Sequence, residues 1–196
     1  LQAAGGIDHT YPVSVAHGVP LGVDEHLQPA DGIWPYKDEF CDGDAPEPPE
    51  EPHAEDNYPS EAKYREEIRK TFMDDVKEGM AEGPYTVEEA AARCGCTPDE
   101  LCYTPLAGKD EGSKVRTIQD GTKGGTNQHI QYHTPQKTLV PHIPDLIHAL
   151  AVITAEQVVT HAPMLLKMDI TKAHRRIKVL RKDWKYIATK VGEEVF

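Results

Sequence analysis

Basic side chains are nearly missing from the first third of this chain. Residues 1–62 hold one, Lys37, against 14 Asp and Glu, whereas residues 63–196 hold 20 Lys and Arg against 19 acidic residues. The formal net charge of -12 therefore belongs to the leader, and an overall acidic pI does not exclude a nucleic-acid partner. Long apolar runs are also lacking. None approaches the ~18 residues of a membrane span, so no membrane association is expected. Residues 1–30 have no basic start followed by an apolar core, and no secretory signal is legible. An intracellular setting, nucleus or cytoplasm, is the expectation. Cysteine is scarce, with four in the chain. Cys94, Cys96 and Cys102 have neither paired CxxC spacing nor a matching His pair, so reduced thiols are preferred over a zinc site. An initial Met is absent, and Phe196 falls inside a strand-like pattern; both ends read as cuts in a longer protein.

What is present divides the chain. Residues 1–62 alternate Gly, Pro, acidic and isolated aromatic residues, a composition that buries too little apolar surface to offset chain entropy. They are expected to be a mostly disordered acidic segment. From Ser60 onward Tyr64, Ile68, Phe72, Val76 and Met80 recur every four residues, as one stripe of a helix does. Asp74 and Asp75 are expected on its solvent face. Thr86 with Glu89 is a capping-box pattern ended by Gly95, and Thr97-Pro98-Asp99-Glu100 repeats it. Lys114–Ile118 alternates like a half-exposed strand, with a turn at 108–112 before it and a glycine loop at 121–125 after it. Ile143-Pro144-Asp145 opens a further helix with Leu146, Ile147, Leu150 and Ile153 on its buried side. Short strands are expected at Met164–Asp169 and Tyr186–Val191. The pattern is mixed α/β, in the α+β sense.

Chemistry concentrates in Leu165–Ile177. A carboxylate closing an apolar strand, Asp169, with a small residue, Ala173, at the fourth position after it, suits a metal-dependent phosphoryl-transfer site. Magnesium takes hard oxygen ligands and usually only one or two protein carboxylates. A pair of such ions ~3.5–4 Å apart would activate an attacking oxygen and stabilise the leaving pyrophosphate. A lone Asp after a strand is more often a helix cap. Residues 167–190 carry nine Lys and Arg against Asp169 and Asp183. Such a run suits phosphate backbones, with a solvated charged face as the alternative. Trp184, with Ile177 and Val179, reads as core.

The stretch around Asp169-Ile170-Thr171-Lys172-Ala173-His174-Arg175-Arg176 resembles the first palm motif of reverse transcriptases, nearest to retroelement enzymes whose motif reads Ala-His-Arg-Arg. Residues Lys109–Asp120 resemble the hairpin of the fingers in the same family. Residues 121–127 resemble the stretch that runs under the template, and His142–Ile147 resembles the helix leading from fingers to palm. These four stretches keep the family's order over residues 63–196. The resemblance implies a partial right-hand polymerase, with fingers at 63–163 and the beginning of the palm at 164–196. It implies Asp169 as the catalytic metal ligand, with the Ile170 carbonyl as an auxiliary ligand, for two Mg2+ (or Mn2+) ions. Lys109 and Arg116 would grip the triphosphate of a deoxynucleotide, and Ala173 and His174 would line the sugar pocket. Asn127, Arg175, Arg176 and Lys178 would contact an RNA template or DNA primer.

Two departures stand out. The ring after Ala173 is His174, where the family mostly has Tyr or Phe gating the ribose 2′-hydroxyl. The paired aspartates of the family's second catalytic motif do not occur, so the chain as given is not expected to polymerise DNA. The alternatives are a catalytically dead element fragment and a helix-turn-helix module at Thr86–Cys102. The acidic character of its would-be recognition segment, Pro98–Cys102, disfavours the latter.

Overall fold

The computed structural model describes residues 11–30, 32–38, 47–140, 142–155 and 169–196. Six α-helices are defined among them: α1 (Tyr11–His17), α2 (Pro59–Lys63), α3 (Arg65–Lys77), α4 (Val87–Cys94), α5 (Thr126–His133) and α6 (Ile143–Ala155). Two small antiparallel sheets join them, β1 (Leu106–Asp110) with β2 (Val115–Gln119) and β3 (Lys190–Val191) with β4 (Glu194–Val195). This is an α+β arrangement.

The helix expected from the four-residue spacing is α3. Ile68 and Phe72 are buried and pack with Leu106 of β1 and Val191 of β3, with Tyr64 and Phe196 at the margin. Phe72 stacks on Phe196 with ring centroids 5.2 Å apart. Val76 is half-buried, and Met80 lies past the helix end, beyond Gly79 at φ 72°.

The second core gathers around α4. Thr86 accepts the Glu89 N–H at 3.2 Å while the Glu89 carboxylate accepts the Thr86 N–H at 2.9 Å, satisfying two helix-end donors reciprocally. Gly95 closes the helix in the left-handed conformation at φ 76°. Ala90 and Ala91 present a flat surface to Leu101, Ala188 and Val195. The second capping box also forms, through Thr97 and Glu100, but it opens only a three-residue 3-10 turn, Pro98–Glu100.

Several expectations shift. The β1–β2 hairpin begins earlier than the alternation at 114–118 suggested. Residues 108–110 are strand, and the turn is confined to Glu111–Lys114, where the Glu111 N–H meets the Lys114 carbonyl at 2.9 Å and Gly112 adopts φ 80°. The glycine loop at 121–125 is followed by α5, a helix the sequence reading did not foresee. The strand expected at Tyr186–Val191 is reduced to Lys190–Val191, because Arg181–Tyr186 coils into a 3-10 segment. On α6, Leu146, Ile147 and Ile153 are exposed and Leu150 half-buried. The side expected to be buried is thus largely open, and no described side chain of the helix is fully buried. Ile177 is likewise exposed rather than core. Residues 164–168 of the expected strand before Asp169 lie outside the described residues.

The acidic leader is not uniformly without structure. Val19 bridges Val179 in parallel, and Val23 is buried against Cys102 and Tyr186. Tyr36 bridges Gln136. Nearer α2, the Asn57 side chain accepts from Leu106 N–H at 2.8 Å and donates to the Lys190 carbonyl at 2.6 Å, tying the leader to both sheets. No helix among the described residues is long and apolar enough to cross a membrane.

Gly83 has φ 116°, and a Cβ there would sit 2.7 Å from the Val195 carbonyl oxygen. Gly83→Ala therefore combines backbone strain with a clash against backbone and is expected to cost about 2–3 kcal/mol. Thr86→Ala, which removes one cap, should cost only about 1 kcal/mol. Urea unfolding of the two variants checks the order; a larger loss for Thr86→Ala would contradict it.

Candidate nucleotide and nucleic-acid interface

The hairpin places two of the expected residues together. Lys109 and Arg116 are direct cross-strand partners, so their side chains leave the same face of the sheet. That face is the outer one. Leu106 and Gly108 are buried on the inner face, with Gly108 so close to α3's approach that a Cβ would lie 2.8 Å from the Tyr64 ring and Cβ. Lys109 and Arg116 are both exposed. Arg116 has a loose ion pair with Glu111 at 3.8 Å, and the Lys109 ammonium has no hydrogen bond or ion pair among the described residues. Like charges opposite each other across a ladder are destabilising, so the outer face carries a small electrostatic cost that an anion would relieve.

The palm-like motif is organised by a residue the sequence reading misplaced. Asp75 is fully buried on α3, not on its solvent face. One carboxylate oxygen accepts from Lys172 Nζ at 2.8 Å, and the other pairs with Arg175. Glu78, one turn on, also reaches Lys172 at 3.2 Å and lies 3.8 Å from Arg176. The hydrogen bond to Asp75 holds the Lys172 ammonium above its ordinary pKa, against the opposing effect of burial. Arg175 extends over the Phe72 ring at 5.5 Å and reaches the Gln119 side chain at the end of β2 at 3.3 Å. The 3-10 turn Ala173–Arg176 is thus fastened to α3 and, through Gln119, to the hairpin.

The other expected residues separate into engaged and open groups. Arg175 spends its charge on Asp75, whereas Arg176 donates only its Nε–H to the Thr171 carbonyl at 2.9 Å and keeps about half of its side chain exposed. Asn127, at the start of α5, donates its side-chain amide to Thr122 at 2.9 Å and shapes the glycine loop. Asp169, Ile170, Ala173, His174 and Lys178 are exposed. No hydrogen bond or ion pair joins Lys109 or Arg116 to Asp169 or His174, and the hairpin's link to the turn runs through Gln119 on the inner face.

The Ile170 carbonyl accepts the Ala173 N–H at 3.1 Å, which leaves one of its lone pairs. Asp169 contributes a single carboxylate, and among the described residues no group of three or more His, Cys, Asp or Glu side chains is gathered so as to hold a metal. The described residues therefore offer a two-metal centre one carboxylate and one half-used carbonyl. The segment expected to be the second helix of a helix-turn-helix is only the Pro98–Glu100 turn.

Comparison with protein-family models, with curated proteins and with solved structures finds no match to this chain.

Removing the Asp75 carboxylate strands Arg175 and leaves Lys172 to Glu78 alone. Asp75→Ala is expected to lower stability by about 2–4 kcal/mol, toward the low end because a third of the Lys172 side chain remains in water. Asp75→Asn should recover part of this by keeping a hydrogen-bond acceptor. Thermal or urea unfolding that shows no loss in Asp75→Ala would contradict the anchoring role.

Proposed function

We propose that this chain is the fingers and first palm motif of a retroelement reverse transcriptase, whose parent enzyme copies RNA into DNA from deoxynucleoside triphosphates. The observation that supports this reading best is the outer face of the hairpin. Two exposed cations, one a mobile ammonium and one a forked guanidinium, stand directly opposite each other where the resemblance requires a triphosphate grip. Their mutual repulsion disfavours a purely structural purpose, since neighbouring structural cations such as Lys172 and Arg175 are each matched to a carboxylate.

In this reading Lys109 and Arg116 bind the β- and γ-phosphates, and Ala173 and His174 border the sugar. Asp169 supplies one carboxylate of a Mg2+ or Mn2+ site whose remaining anionic ligands are not among the described residues. Lys178 is an exposed basic residue of the palm-like stretch that remains open to a template or primer phosphate. The Asp75 anchor keeps the Ala173–Arg176 turn from drifting relative to the hairpin.

The grip is tested by titrating the chain with dATP in a calorimeter. Lys109→Thr and Arg116→Thr are each expected to weaken binding roughly tenfold, the loss of one charge-assisted contact, while stability stays level or rises slightly as repulsion is relieved. Unchanged dATP affinity in both variants would remove the basis of the proposal.

A further inference from the structure

We infer that the acidic leader occupies part of this chain's nucleic-acid surface as an intramolecular competitor, so that a single-stranded RNA must displace it to reach the 182–185 segment and the 121–125 loop. This rests on the nucleic-acid reading above for its choice of ligand, and not on the triphosphate grip.

The leader meets the basic segment first. Val19 donates its N–H to the Lys178 carbonyl at 2.8 Å and accepts the Leu180 N–H at 2.9 Å. The Leu21 N–H reaches the Asp183 carboxylate at 2.8 Å, and Val23 inserts beside Cys102 and Tyr186. This register sets two acidic residues over the cations. Glu25 pairs with Lys182, and Asp24 accepts the Tyr186 hydroxyl at 2.5 Å. Burial and then the bond to Asp24 push the Tyr186 hydroxyl up to about 12. Lys182 is held above its ordinary pKa chiefly by Glu25, and Lys185 chiefly by Tyr186.

A second stretch of the same leader crosses the glycine loop. The His53 N–H pairs with the Gly124 carbonyl at 3.1 Å, and a Cβ on Gly124 would lie 3.0 Å from the His53 carbonyl oxygen. Lys123, in that loop, is taken by Glu55 at 3.1 Å and by the Asp56 carbonyl at 3.0 Å. Two separate cationic places that a nucleic-acid backbone would visit are therefore each capped by a leader carboxylate.

The capping is suited to release. Lys182 and Glu25 are half or more exposed, and exposed pairs of this kind contribute little and weaken with salt. A polynucleotide offers many phosphates and gains from counterion release. The Val19–Val23 strap at the basic segment and the His53 bond to Gly124 at the loop are the local holds that salt does not weaken.

The test uses the full chain and a fluorescein-labelled oligouridylate, followed by fluorescence anisotropy at low salt. The variant Asp24→Asn/Glu25→Gln/Glu55→Gln is expected to bind at least fivefold more tightly than the parent chain. Gly18→Val lifts the strap without changing charge, because Gly18 has φ 111° and a Cβ there would lie 2.9 Å from the Val179 backbone carbon; it should tighten binding in the same direction. Lys182→Gln added to the charge variant should cancel much of the gain. Circular dichroism confirms that each variant is folded, and the charge variant decides if Gly18→Val unfolds. Unchanged or weaker binding in the charge variant overturns the inference, as does absence of RNA binding by every variant. Intact dATP binding alongside either result would leave the triphosphate grip standing, so the two failures are distinguishable.

Discussion

The Asp75 carboxylate is the interaction on which the described architecture turns. It sits without solvent exposure on α3, between the buried Phe72 and the chain segment that carries Lys172 and Arg175. A buried carboxylate is tolerated only when its charge and its lone pairs are answered. Here one oxygen meets an ammonium and the other a guanidinium. The consequence is geometric: a segment with almost no buried side chains, Asp169–Lys178, is pinned to a helix that is itself cored by Ile68, Leu106 and Val191. Without that pin, the exposed Ala173 and His174 would have no fixed relation to the hairpin.

Charge pairing then sorts the basic residues. Those held closely near α3 and the leader are matched, Lys172 and Arg175 to Asp75 and Lys182 to Glu25. Those on the hairpin's outer face are not matched in this way: Lys109 stands unpaired among the described residues, and Arg116 has only its loose contact with Glu111. The same net charge of the region thus hides two different uses, and only the three-dimensional pairing distinguishes them.

Local signals were legible in the sequence because they act within a few residues. Thr86–Glu89 with Gly95 specified α4 at both ends, and the 64–72 spacing located the buried stripe of α3. Asp75 was misplaced because the stripe was followed only in steps of four; it lies three residues after Phe72 and seven after Ile68, which is also the core side of a helix. The alternation of Val19, Leu21 and Val23 was a strand-like signal inside a segment judged by composition alone. For α6 the pattern showed which residues share a face, but a pattern cannot say what lies opposite. The pairing of Lys109 with Arg116 followed from the resemblance. The engagement of Arg175 and Asn127 inside the protein could not be read, since it depends on partners 100 and 5 residues away.

The central claim is that the outer face of the hairpin receives a nucleoside triphosphate. The most direct measurement is an amide-resolved NMR titration of the 15N-labelled chain with dATP. Shifts concentrated at residues 107–118, with smaller ones at Ala173 and His174, are expected. Shifts confined to other surfaces, or none at saturating nucleotide, would contradict it.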